Sequence, residues 1–135
     1  MRRLLISWLL AMLCVGPVIA AEDHVRLAAA QHVTYYYFPD QFTTNLRHSN
    51  RLVQATIALD TSYEDAVIYR VIKHRLPIAD EIIVLLSNIT EAGLRDPESK
   101  QQLEDAIRDA VNAVLQSKYQ FGGIDHAYII SMVIR

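Results

Sequence analysis

The chain has 135 residues, 52% of them hydrophobic and 21% charged, with four glycines and four prolines. That composition fits one globular domain and excludes a disordered tail or a collagenous or repeat fibre. Thirteen Lys and Arg stand against fifteen Asp and Glu, a net charge of -2, so the clustered positive excess of a DNA- or RNA-binding module is missing and nucleic acid is excluded as a partner.

The first element is a targeting segment. Met1-Arg2-Arg3 is a short positive region, Leu4 to Val15 is apolar apart from one serine, and Gly16-Pro17 breaks it ahead of Val18-Ile19-Ala20, the layout of a secretory signal. Those twelve residues make a helix of roughly 18 Å, short of the roughly 30 Å of a bilayer core. Cleavage before Ala21 is expected, with an uncleaved membrane anchor as the alternative. Leu13 precedes Cys14, the single cysteine, where a lipid-anchored precursor needs a small residue. A processed chain therefore carries no thiol, which suits an oxidising, exported compartment and excludes disulfides and cysteine chemistry. Residues 1–20 read as this segment, 21–34 as a linker and 35–135 as the domain.

Val33 to Tyr37 is β-branched and aromatic, Pro39-Asp40 interrupts, and Phe42 to Leu46 alternates with period two, which predicts a broken strand. His48-Ser49-Asn50 supplies a turn. Val53, Ala55, Ile57 and Leu59 then share one face of a strand while Gln54 and Thr56 take the other, so the two strands pair as a hairpin with one side buried. Thr61 and Glu64 have capping-box spacing, predicting a helix from about Ser62 with Ile68, Val71, Ile72 and Leu76 as its stripe. Pro77 ends it and opens a second helix, in which Ile78, Ile82, Leu85, Leu86 and Ile89 form a stripe. With Ile83 and Val84 added, that helix is apolar on most sides and must be buried or form an interface. Gly93 punctuates; Asp96-Pro97-Glu98 restarts a third helix running to about Gln116, with Leu103, Ile107, Ala110, Val111, Val114 and Leu115 in its core stripe. Gly122-Gly123 turns the chain into a final strand, Ile124 to Ile134, where Ile130, Met132 and Ile134 share a face and Ile129 and Val133 lie on the other, as if covered on both sides. Strands, helices, strand: the fold class is α+β, with an N-terminal β-hairpin, two or three central helices and a C-terminal β-strand.

Chemistry is sparse. Asp80-Glu81 and Glu104-Asp105 are adjacent carboxylates, which on a helix face different points and make no acid–base pair. No two of His24, His32, His48, His74 and His126 have the three- or four-residue spacing of a helical metal motif. Nucleophile elbow, phosphate loop and dinucleotide fingerprint are all missing, so catalytic, cofactor and metal residues are expected to be none and the chain is not expected to be an enzyme. Tyr35, Tyr36, Tyr37, Phe38 and Phe42 form an aromatic cluster at the start of the domain. Aromatics serve cores and interfaces alike, and because strand neighbours face opposite ways only some of Tyr35, Tyr36 and Phe38 are expected at an interface.

From Tyr37 to Arg135 the chain resembles the periplasmic C-terminal domain of the flagellar basal-body-associated FliL family. The resemblance rests on Tyr37-Phe38-Pro39-Asp40-Gln41-Phe42-Thr43-Thr44-Asn45-Leu46, on the strand Arg51 to Leu59, on His74-Arg75-Leu76-Pro77 through Leu85-Leu86-Ser87, and on Thr90 through Leu94-Arg95-Asp96-Pro97-Glu98-Ser99-Lys100. Ser99 replaces the glycine usual in the family, and the short N-terminal segment replaces its transmembrane helix. The resemblance implies a stomatin-like domain that self-assembles into rings and a non-enzymatic accessory role beside the stator units, supporting swimming, swarming and chemotaxis. It further implies basal-body or stator proteins as partners, no cofactor, and a periplasmic place at the inner-membrane face of the basal body. Membrane proximity then comes from partners or from an uncleaved segment, as in a divergent soluble paralogue. A generic periplasmic adaptor or ligand-binding module sharing only the fold is the alternative.

Overall fold

The computed structural model describes residues 32–135. The targeting segment, Cys14 and His24 lie outside the described residues. The order is β1 (Thr34–Tyr37), β2 (Phe42–Asn45), β3 (Leu52–Thr61), α1 (Asp65–Lys73), α2 (Arg75–Ser87), α3 (Glu91–Arg95), α4 (Pro97–Tyr119) and β4 (His126–Ile134), an α+β fold.

One antiparallel sheet is built around β3. Along one side of it lie β1 and β2 end to end, with Tyr36 opposite Leu59 and Phe42 opposite Ala55. They are the two halves of the broken strand. Pro39 interrupts the ladder because it has no N–H to give, while the Phe38 N–H still donates to Ile57 O at 3.1 Å and keeps the two halves in register. The turn into β3 is closed by Leu46 N–H donating to Arg51 O at 3.0 Å, with His48 at φ 57°. The other side of β3 is covered by β4.

The helices pack on one face of the sheet, α2 against α4 and β2, α4 against β4. Ala55, Ile57 and Leu59 of β3 meet Ile78, Ile82 and Leu86 of α2 and Leu103, Ile107, Val111 and Leu115 of α4 in one buried cluster. The third-helix stripe is therefore the core seam, with Ala110 and Val114 at its half-buried margins. Asp96 caps α4 by accepting from Ser99 N–H at 2.9 Å, as its sequence predicts.

Several local expectations are corrected. Thr61 is the last residue of β3, fully buried, its hydroxyl donating to Gly123 O at 2.6 Å and accepting from Tyr63 N–H at 3.1 Å; held in the strand, it lies too far ahead of the helix to cap it, and α1 starts at Asp65 behind Glu64 without a side-chain cap. The buried stripe of α1 is consequently Val67 and Val71, while Ile72 and Leu76 face outward. Gly93 does not break the chain but sits inside the five-residue α3, which Thr90 caps by accepting from Gly93 N–H at 3.2 Å, so a short fourth helix joins the three expected. The end of α4 comes at Tyr119, with Gln120, not glycine, in the left-handed conformation (φ 59°). Lastly, Thr56 pairs with Ser131 and Ile57 with Ile129, leaving Ile130 as the extra residue of a β-bulge. The bulge changes the phase of β4. Ala127 and Ile129 face the core before it and Met132 packs against the core after it, whereas Ile130 is 53% exposed and does not share the face of Met132 and Ile134. The second side of β4 is open to solvent, with Tyr128 and Val133 exposed beside Ile130.

The loop into β4 is fixed from α4. Asn112 donates through Nδ2 to Ile124 O and accepts through Oδ1 from Ile124 N–H, both at 2.9 Å. Gly122 is buried against this carboxamide, and Gly123 has φ +93°, a region only glycine enters freely.

Candidate protein-interaction face

The register decides which side chains share the outer face of the sheet. Leu59 faces the core, so Ala58 and Asp60 face away from it; Tyr37, Ala58 and Tyr128 form one row across three strands, and Tyr35, Asp60 and His126 form the next. Ala58 and Asp60 are nonetheless only 2% and 4% exposed. No described helix lies on that side, and the Tyr128 ring reaches across to Asp60, its hydroxyl 2.8 Å from the carboxylate. Tyr35 and Tyr37 are 53% and 61% exposed and Tyr128 is 38% exposed, which leaves a shallow aromatic platform with a dry base.

Under the platform the Asp60 carboxylate is fully engaged. It accepts the Tyr128 hydroxyl at 2.8 Å and the His126 backbone N–H at 2.7 Å, with His126 Nδ1 3.1 Å away. These contacts repay the cost of placing a carboxylate out of water. The hydrogen bond to Asp60 pushes the Tyr128 phenol up to about 12, with burial and the carboxylate's charge adding to it, because ionising the phenol would remove a donor and set two anions together.

Beyond Asp60 the face ends in an acidic margin. A depression of about 360 Å³ is lined by Val33, Asp60, Ser62, Asp125 and His126. A second, of about 390 Å³, shares Ser62 with it and is lined by His32, Tyr63, Glu64 and Asp65. Among the described residues, no Lys or Arg lines either depression. Arg135 pairs with Leu52 at the opposite end of the sheet.

The residues expected at an interface part company. Tyr35 stands on the outer face, while Phe38 is buried at 5% exposure and Tyr36 packs against the core, their rings edge to face at 5.0 Å, with Phe42 next at 5.1 Å from Phe38. Tyr37 and Tyr128 take the outward places. The sequence signal for Tyr37 was its parity with Tyr35, whereas Tyr128 depends on the bulge and the long-range register, which no local pattern encodes.

A second exposed apolar surface lies on α2. Leu76, Ile83 and Val84, at offsets 0, 7 and 8, occupy one outward face and are 79%, 38% and 48% exposed. The helix expected to be buried or to form an interface is thus buried along one stripe and exposed along another.

The titratable side chains elsewhere serve the fold. His74 separates α1 from α2 and its Nε2 lies 2.9 Å from the Tyr119 hydroxyl, over whose ring Arg70 stacks at 4.7 Å. The Arg47 Nε–H donates to His48 Nε2 at 3.1 Å. Glu104 accepts the Ile129 N–H of the outer edge of β4 at 2.8 Å, while Asp105 pairs with Arg108 at 3.1 Å. Among the described residues, no three His, Cys, Asp or Glu are grouped to hold a metal ion, and no helix is long and apolar enough to cross a membrane.

Comparison with known protein families gives a match. The family model described as flagellar basal body-associated protein FliL covers residues 35–134. No curated protein matches the chain.

Proposed function

Since the chain belongs to the flagellar basal body-associated FliL family, whose role is accessory to the flagellum, we propose that it supports rotation of the motor through protein contacts, beside the stator units and without chemistry of its own. The observation that carries this reading is the span of the match: it covers the domain from β1 to the last residue of β4, so the whole platform lies inside the family's fold. Swimming, swarming and chemotaxis are the behaviours it serves. The domain works in the periplasm at the inner-membrane face of the basal body, brought there by partners or by an uncleaved N-terminal segment. The outer sheet face, with Tyr35 and Tyr37 at its edge, meets basal-body proteins; the apolar face of α2 serves self-association, where many weak linked contacts gain avidity. A deletion strain tests the reading: it builds flagella but swims poorly, most visibly in viscous medium, and crosslinking from the complemented strain recovers basal-body protein. Unimpaired swimming with no basal-body protein recovered favours a generic periplasmic adaptor instead.

A further inference from the structure

The chemistry of the outer sheet face specifies more than an apolar contact. Three exposed tyrosines flank a dry centre, and the face runs at its Tyr35 end into two depressions that carry Asp60, Asp125, Glu64 and Asp65. Among the described residues, the basic groups lining that margin are His32 and His126. Tyrosine rings attract cations through the negative potential of their π faces, and arginine also stacks on them as a plane. Asp60 adds a negative charge beneath the rings, and although its oxygens are already hydrogen-bonded, its field remains. An anionic partner is repelled here, and an uncharged one leaves the carboxylates uncompensated wherever it excludes water from them. The nine-residue β4 makes the face about 30 Å long, and it is shallow, the shape that receives an extended segment, not a small amine.

Building on the role of this face as a contact surface in the proposed function, we propose that it docks a cationic, arginine- or lysine-rich segment of a partner protein, with its side chains stacked on Tyr35, Tyr37 and Tyr128 and paired with the carboxylates of the β3–α1 corner. The contact is electrostatic at its margin and apolar at its centre, so it weakens with salt without vanishing.

The experiment titrates the full chain with a fluorescent octapeptide of alternating arginine and serine, and separately with its glutamate–serine counterpart and with chitotetraose. The proposal expects the arginine peptide to bind at least about tenfold more tightly than the other two and to weaken severalfold between about 50 and about 300 mM NaCl. Tyr35→Ala with Tyr37→Ala, and Glu64→Gln in a separate variant, weaken it further. All three side chains are exposed, so these variants keep the wild-type circular dichroism and melting temperature. Asp80→Asn with Glu81→Gln, acidic residues on α2 away from the face, leaves binding unchanged. Equal binding of the glutamate peptide or of chitotetraose overturns the proposal. So does an equal loss in the α2 variant, which marks diffuse charge attraction, or competition for the same tyrosines by a second copy of the chain. If the wild-type chain ignores the arginine peptide while Tyr35→Ala with Tyr37→Ala still impairs swimming, the cationic partner is overturned and the contact face stands; if swimming is unaffected as well, both fall.

Discussion

Replacing Gly122 by alanine probes how the long-range register of β4 is held. A Cβ at Gly122 would meet the Asn112 side chain, 2.7 Å from its Cγ and 2.9 Å from its Cβ. The φ of Gly122 is not positive, so alanine's backbone preference is no obstacle and the cost is steric. The Asn112 carboxamide must swing away, and both of its bonds to Ile124, each 2.9 Å, break. At about 1 kcal/mol per bond, and with the buried Ile124 N–H and C=O left without partners, the loss is about 2–3 kcal/mol. Asn112→Ala breaks the same two bonds and costs the same. The double variant can break them only once, so its loss is about 3 kcal/mol, well below the sum of the singles. A small residue persists because the new alanine keeps its own Cβ 2.9 Å away. The double-mutant cycle therefore returns a coupling of at least about 1 kcal/mol, about 4–8 °C in melting temperature for a domain of this size. Urea unfolding followed by far-ultraviolet circular dichroism measures all four proteins. Additive losses, or a Gly122→Ala variant as stable as wild type, refute the clamp.

Ile107 is fully buried on the seam between α4 and the sheet, so Ile107→Asp buries an unpaired charge at a cost of several kcal/mol, on the order of the whole stability; a cooperative transition at the wild-type temperature contradicts the helix register. Tyr128→Phe removes the donor at 2.8 Å from Asp60 and costs about 1 kcal/mol, discounted because the ring is partly exposed. The phenol's pKa is raised in the folded state to about 12, so its stabilisation is complete below the unfolded value of about 10 and is lost as pH rises through about 12; urea titrations across that window show the extra loss in wild type and not in Tyr128→Phe. Leu76→Ser changes stability by no more than about 0.5 kcal/mol, as an exposed substitution should, but lowers self-association in sedimentation velocity; an unchanged distribution of species removes α2 from that role.

What the chain discloses locally is the part of the fold that local chemistry controls. The parity of Val53, Ala55, Ile57 and Leu59, the break at Pro39 and the cap at Asp96 each work within a few residues, and the structure places all three as read. Thr61 shows the limit. Its spacing to Glu64 satisfies a capping box, yet Thr61 is held at the end of β3, its hydroxyl donating to Gly123 O, 62 residues away, and tertiary demand overrides the local option. Ile130 shows the same limit in β4: strict alternation assigns it to the face of Met132, and one bulged residue reverses the assignment. The site inherits both effects. Tyr35 was legible by position and Tyr37 by parity with it. Tyr128, Asp60 and Asp125 join them only through pairings of β3 with β1 and β4 and through the loop that Asn112 anchors.

The central claim, that this is a contact protein of the flagellar motor acting through its outer sheet face, is tested most directly by swimming speed in viscous medium. A deletion strain is complemented with the wild-type chain or with Tyr35→Ala and Tyr37→Ala together. The account predicts full rescue by the wild type and partial rescue by the variant, with equal protein levels and equal numbers of flagella in both strains. Swimming that the deletion leaves untouched, or that the variant restores completely, contradicts it.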